Sequence, residues 1–296
     1  MASKPATPIA SAGYILLHQG FTEWLQLLGY SVLSIPALSG TISHFLQYQE
    51  RNNKAAIEQL EATDANQFLQ ELQARKAYSN SHINKQVQSL KLFSKYIRET
   101  GRSPTGFNLE RLPELRAKPH WLTKPELQAL YEATNDSVLG IRDRAMLAVF
   151  YGCGLRLNEG ASIDLKDLDT TRMLLHVRKG KHYKERFVPV AEKNLEAIKL
   201  YIEYARPQLL QQTKTEALFI GANKGIKMDK QSLYIRIKKL AKQSGIKKKI
   251  GTHTLRHSIA THLLQSGMKL ERIQQFLGHS NLDSTQIYTH LKNEAL

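Results

Sequence analysis

Apolar residues in the first hundred positions recur at helical spacing. Phe21, Trp24, Leu25 and Leu28 share one face and predict a first helix, and Ile42, Phe45 and Leu46 predict a second beyond the break from Pro36 to Gly40. A third is expected from about Asp64, a plausible N-cap, to Ala74, with Phe68, Leu69 and Leu72 on its buried side. The fourth should run from about Ser81 to Thr100, bury Ile83, Val87, Leu90, Phe93, Tyr96 and Ile97, and stop at Gly101. Four such helices make a small bundle. The periodicity then lapses: Pro104, Gly106, Pro113 and Pro119 fall among charges. The expected organisation is a helical domain over residues 1–103, a linker over 104–120 and a second domain over 121–296.

The second domain mixes periods. Thr123 caps a helix with K-P-E in its first turn, and a long apolar helix from Ala145 to about Tyr151 runs into the turn at Gly152 and Gly154. Met173–Arg178 and Arg186–Val190 are short β-rich runs around a polar tip and read as a hairpin. A helix over Ala191–Ala205, a brief strand over Ala217–Ile220 and a basic helix over Asp229–Ser244 follow. Leu255, Ile259 and Leu263 form the core stripe of a helix that Thr252 or Thr254 can cap and Gly267 ends. Leu270, Ile273, Phe276 and Leu277 form another, before Gly278. The fold class is therefore mainly α with a small β component, a helical bundle followed by a mixed α/β domain.

Composition narrows the partners. Of 296 residues 42% are hydrophobic, enough for two cores, and no run of eighteen apolar residues suggests a membrane span. The short apolar patch near the N-terminus has no clear signal-peptide cleavage site. One cysteine, Cys153, excludes an internal disulfide framework and fits a reducing cytoplasm. The formal net charge is +16. Residues 1–106 carry 10 Lys+Arg against 7 Asp+Glu, and residues 107–296 carry 32 against 19. An excess of this size points to a polyanion, nucleic acid above all, held chiefly by the second domain.

The chemistry concentrates near the C-terminus. His253 and Arg256 are three apart around a helix's first turn, His279 follows Arg256 by twenty-three residues, and Tyr288 follows His279 by nine. A guanidinium fork holds phosphate oxygens, imidazoles move protons, and a phenol oxygen can become covalent. Singly, Arg256 reads as a surface arginine, His253 as a capping or core histidine and Tyr288 as a structural tyrosine, and His257 and His262 read as neighbours. Upstream, Arg156 follows a tight turn with Glu159 three residues later, which suits a phosphate clamp or a structural ion pair. K-G-K-H-Y-K-E-R at the hairpin tip is a solvated basic loop, or, beside a phosphate, the source of a lysine that protonates a leaving oxygen.

Taken together, G-L-R-x-x-E, G-K-x-x-K-E-R-x-V-P, H-x-L-R-H, L-G-H-S and the final Tyr make the chain resemble the tyrosine recombinase, or phage integrase, family, and within it the Xer-like members. The segments F-T-E-W-L-Q-L-L-G-Y-S and S-H-I-N-K-Q-V-Q-S-L-K-L-F-S-K-Y-I are similar to that family's N-terminal core-binding domain. The resemblance implies a two-domain clamp around double-stranded DNA, a site-specific recombinase working through a 3′-phosphotyrosine and a Holliday junction, and a homotetramer on its DNA site. A related recombinase or accessory protein can belong to that assembly, and no membrane is involved. It makes Tyr288 the nucleophile, Arg156 and Arg256 the ligands of the non-bridging oxygens, Lys181 the general acid, His253 the proton-transfer residue and His279 a second phosphate donor. Glu159 would support them. Lys179 is a rival to Lys181, Lys184 and Arg186 would touch backbone phosphate, and the basic helix with Arg236 and Lys239 would meet the DNA. The reaction needs no cofactor or metal, and the chain carries no H-E-x-x-H, zinc frame or P-loop. Eight residues after Tyr288 are fewer than Xer-like relatives use to dock on a neighbour, and about fifteen before the first helix leave no room for a separate arm-binding domain. A type IB-like topoisomerase and a non-catalytic DNA-binding protein are the competing readings.

Overall fold

The helical periodicity of the N-terminal region is realised in four helices: α1 (Ala12–Leu27), α2 (Ile35–Arg51), α3 (Asp64–Arg75) and α4 (Asn80–Glu99). The computed structural model describes residues 8–75, 78–102, 106–114, 120–178, 185–223 and 225–278. Its contacts divide the chain into two units, Met1–Ala117 and Lys118–Leu296. In the first, Tyr14, Leu17, Phe21 and Leu25 of α1 are buried with Ile42, Phe45 and Leu46 of α2 and with Ile83, Val87, Leu90 and Phe93 of α4. Phe21 meets Phe93 edge-on at 5.5 Å between ring centroids. A Cβ on Gly20 would lie 2.3 Å from the Tyr96 hydroxyl, so that glycine lets α1 and α4 approach.

The first helix starts earlier than expected, because Tyr14 and Leu17 extend its buried stripe by a turn and the Glu50 carboxylate accepts the N–H groups of Ala10 and Ser11 at its start. Gly101, at φ +66°, ends the last one, with Arg102 N–H bonded to the Ile97 carbonyl. Residues 106–114, within the stretch expected as linker, lie on this unit. Leu109 is buried among its side chains, and the Asn84 amide donates to Leu112 O and accepts from Leu112 N–H at 2.9 and 2.8 Å.

The second unit is organised around α6 (Val138–Leu147), which follows α5 (Lys124–Glu132). Thr123 and Glu126 cap α5 reciprocally, and Ser137 caps α6. The apolar run at Ala145 proves to be the last part of α6, continued by a π-helical turn over Ala148–Gly152. The helix begins before that run because its polar residues are buried in bonded pairs: Arg142 donates to the Ile220 carbonyl at 3.1 Å, and Asp143 accepts from Arg236. Next come α7 (Leu157–Ala161) and a three-stranded antiparallel sheet, β1 (Leu168–Asp169), β2 (Leu174–Val177) and β3 (Arg186–Pro189), in the order β1-β2-β3. Leu175 pairs with Val188 and Val177 with Arg186, which puts Leu175, Val177 and Val188 into the core.

The remaining helices are α8 (Glu192–Leu200), α9 (Arg206–Leu210), α10 (Lys230–Gln243), α11 (Thr252–Gln265) and α12 (Leu270–Leu277), with a second π-turn, Tyr201–Ala205, between α8 and α9. The strand expected over Ala217–Ile220 is not formed. Ala217 bridges Asp164 and Ile220 bridges Lys227, while the Ala217 carbonyl is taken by Arg206, so no continuous ladder can grow. Among the described residues no helix is long and apolar enough to cross a membrane.

Candidate active site

Arg156 is set in place by three consecutive backbone features. The π-turn Ala148–Gly152 ends the buried helix, and Gly154 reverses the chain at φ +62°. Arg156 is then the N-cap of α7. The Glu159 carboxylate accepts from the backbone N–H of Arg156 at 2.8 Å and from its Nη1 at 2.9 Å. A Cβ at Gly154 would lie 2.8 Å from a Leu277 methyl in a fully buried position. Gly154→Ala should therefore lower stability by about 1–3 kcal/mol through positive φ and crowding together. Thermal unfolding measures this; an unchanged melting temperature would contradict the account.

Arg256 comes from the first turn of α11, at a site 5% exposed. Gly251 is the N-cap of that helix, in place of the threonines expected there, and Thr254 instead accepts from Gly251 N–H at 3.3 Å. The Arg256 fork donates to Gly154 O and to Leu277 O, each at 2.6 Å, and lies 3.8 Å from Glu159. Arg156 and Arg256, a hundred positions apart, thus meet over one buried carboxylate. A third arginine joins them. Arg186 donates from both terminal nitrogens to the two oxygens of Glu159, each at 3.0 Å, a bidentate pair. The three also share the end of α12: Arg186 reaches Phe276 O at 3.3 Å, Arg256 reaches Leu277 O, and Arg156 reaches Gly278 O at 3.3 Å. The last carbonyls of a helix lack intrahelical donors and form its negative pole, so cations are favoured there.

Burial alone would raise the pKa of Glu159. Hydrogen bonds and charge from Arg186, then from Arg156, outweigh it and bring it to about 2. His253 has a lowered pKa, first from lost hydration and then from the charges of Arg256 and Arg156, which favours the neutral imidazole that can accept a proton. His257 is lowered likewise, by burial and then by His253 and Arg256. His262 faces elsewhere: its Nδ1 is 2.9 Å from the Tyr151 hydroxyl. A basic groove beside the site is lined by Tyr234, Lys238, Lys242, Lys248, Thr252 and His253.

Among the residues expected at the site, Arg156, Glu159, His253, Arg256 and Arg186 are brought together. Lys239 is on the exposed side of α10. Arg236, on the same helix, is turned inward, its Nε 2.7 Å from the fully buried Asp143. Lys179, Lys181, Lys184, His279 and Tyr288 lie outside the described residues. The strand leading to the hairpin tip is fixed at Arg178, 2.5 Å from Asp164 and 2.6 Å from Asp167. Sequence reasoning missed the carbonyl ligands of the arginines and the anchoring role of Asp143. The only signal for the former was the turn glycine at 154.

A helical unit followed by a mixed unit that gathers arginines and a histidine with a lowered pKa beside a basic groove suits phosphoryl transfer on nucleic acid. Residues 120–295 match the phage integrase family. The tyrosine recombinase XerC of Anoxybacillus flavithermus is 34% identical over 282 residues, 93% of each chain. The tyrosine recombinase XerD of Oceanobacillus iheyensis is 32% identical over 284 residues, 94% of each. Two solved structures share the fold. The XerH site-specific recombinase in a post-cleavage complex with its difH substrate has a TM-score of 0.76 and 21% identity, covering 96% of this chain and 83% of that one. The Tn1549 transposon integrase with circular intermediate DNA has 0.74 and 20%, covering 95% and 99%. The chain belongs to the phage integrase family. It is a Xer-type site-specific DNA recombinase, which cuts and rejoins DNA through a phosphotyrosine intermediate.

Proposed function

We propose that the two units close around duplex DNA at a specific recombination site, and that four copies assemble on two such duplexes and exchange strands through a Holliday junction in the cytoplasm, at the nucleoid. The observation that carries the catalytic reading is the meeting of Arg156 and Arg256 over Glu159 beside His253, whose neutral form is favoured. In the cleavage step the Tyr288 oxygen attacks the scissile phosphorus. The new O–P bond joins Tyr288 to the 3′ side as the bond from phosphorus to the 5′ oxygen breaks. His253 takes the phenolic proton, and Lys181 supplies one to the departing 5′ oxygen. Arg156, Arg256 and His279 hold the non-bridging oxygens, whose charge grows in the pentavalent transition state. The tyrosyl phosphate preserves the phosphodiester's energy, so a 5′ hydroxyl from another strand reverses the step and completes the exchange. Lys179, Lys184 and Lys239 contact the backbone and fix register, and side chains of the first unit and of α10 read bases.

The test begins with duplexes from a randomised pool, enriched by binding to the protein and then nicked near the cleavage position so that the cut fragment diffuses away. Covalent protein–DNA complex is expected on a denaturing gel, and strand exchange between two enriched duplexes is expected in a second reaction. Binding without a covalent complex would reduce the chain to a DNA-binding protein. Complex formation with supercoil relaxation but no strand exchange would make it a topoisomerase.

A further inference from the structure

We propose that Arg186 is a positioning residue for DNA cleavage and makes no contact with the DNA backbone. Its place in the basic hairpin suggests a phosphate ligand, but its side chain is only 11% exposed and both terminal nitrogens face Glu159 at 3.0 Å. Its Nε caps Phe276 O, and its aliphatic stem lies against Gly278, where a Cβ would come within 2.8 Å of Cδ. Arg186 therefore ties three segments into one body: β3, which leaves the hairpin of Lys181; α7, whose Glu159 sits under Arg156; and the left-handed end of α12, from which the chain continues to Tyr288. Glu159 carries a single negative charge beside three guanidinium groups. With Arg186 taking both carboxylate oxygens in a planar fork, the carboxylate is held at one orientation, and Arg156 bonds to a carboxylate that cannot rotate. Without Arg186, Glu159 is free to turn toward Arg156 and Arg256, and the end of α12 loses one of its three arginine caps. The inference rests on the assignment of Arg156 and Arg256 as phosphate-holding residues.

The experiment uses the full chain and the enriched, nicked duplex, and compares wild type with Arg186→Gln, Arg186→Lys, Glu159→Gln, the double variant Glu159→Gln/Arg186→Gln and Arg156→Ala. Expected for Arg186→Gln are an unchanged dissociation constant, an unchanged slope of log affinity against log salt, and covalent trapping slower by about 10- to 100-fold, the range for a misplaced catalytic group. Its trapping rate should also fall on the acid side where the wild type's does not, and that limb should vanish in the double variant, which should react no more slowly than Glu159→Gln alone. Arg186→Lys, which keeps the charge but not the fork, should recover little. A salt slope reduced by about one unit would make Arg186 a phosphate contact and overturn the proposal, as would trapping at the wild-type rate. If Arg186→Gln does not fold by thermal melting, the lysine and double variants carry the same comparison. Trapping by Arg156→Ala at the wild-type rate would instead overturn the assignment beneath the proposal.

Discussion

Tyr288→Phe should bind the enriched duplex as tightly as the wild type and give no covalent complex. The substitution removes one oxygen and no charge, because a phenol is neutral near pH 7. Counterion release on binding, and with it the salt dependence of affinity, is therefore unchanged. In the proposed mechanism Arg156 and Arg256 stabilise charge, His253 moves a proton, and the nucleophile is Tyr288 alone. The expected loss is on the order of 10⁴-fold or more, below detection on a denaturing gel. A covalent band that persists at the wild-type position would remove Tyr288 from the mechanism. Trapping followed by proteolysis and mass spectrometry would then show which oxygen carries the DNA.

Glu159→Ala should be the most damaging change to stability among the described site residues. The carboxylate is 2% exposed and neutralises guanidinium groups that are themselves mostly buried. Removing it leaves their charges adjacent and without the carboxylate that neutralises them, at a cost of about 3–5 kcal/mol. Glu159→Gln keeps the shape but not the charge and should fall between the two. The pH dependence follows from the depressed pKa. Glu159 binds a proton less readily in the folded chain than in the unfolded one, so its contribution is fully present above its ordinary pKa of 4.5 and is lost as the pH falls toward about 2. Urea denaturation at pH 7 and pH 3 should show a wild-type advantage over Glu159→Gln that shrinks at the lower pH. An advantage equal at both would mean that the carboxylate's charge is not what stabilises the site.

Much of the architecture was legible because it rests on period and punctuation. The stripes through Phe21, Phe45 and Phe93 face one core, and Gly101, Gly267 and Gly278 stop helices at left-handed positions. What escaped depended on contacts between distant positions. Arg142 and Asp143 precede the apolar run expected to begin at Ala145, yet both are buried in α6 because Ile220 O and Arg236 are there to bond them. Arg186 read as a loop cation because its partner Glu159 is twenty-seven positions away. Ala217–Ile220 has a strand's composition, but its Ala217 carbonyl is taken by Arg206 and the segment forms only isolated bridges. The site followed the same division. Residue types and spacing marked Arg156, His253 and Arg256, while the carbonyls of Gly154, Leu277 and Gly278 that orient the two arginines have no signature in side-chain chemistry.

The chain's single cysteine sits in the turn just before Gly154, fully buried, with burial pushing its thiol up to about 12. A thiol so placed is protonated and shielded at neutral pH, so it is a poor target for maleimide dyes. The sequence is in that respect ready for single-molecule fluorescence: one engineered surface cysteine in each unit would take the label without Cys153 being removed, and the distance between the labels could be followed in time with and without DNA.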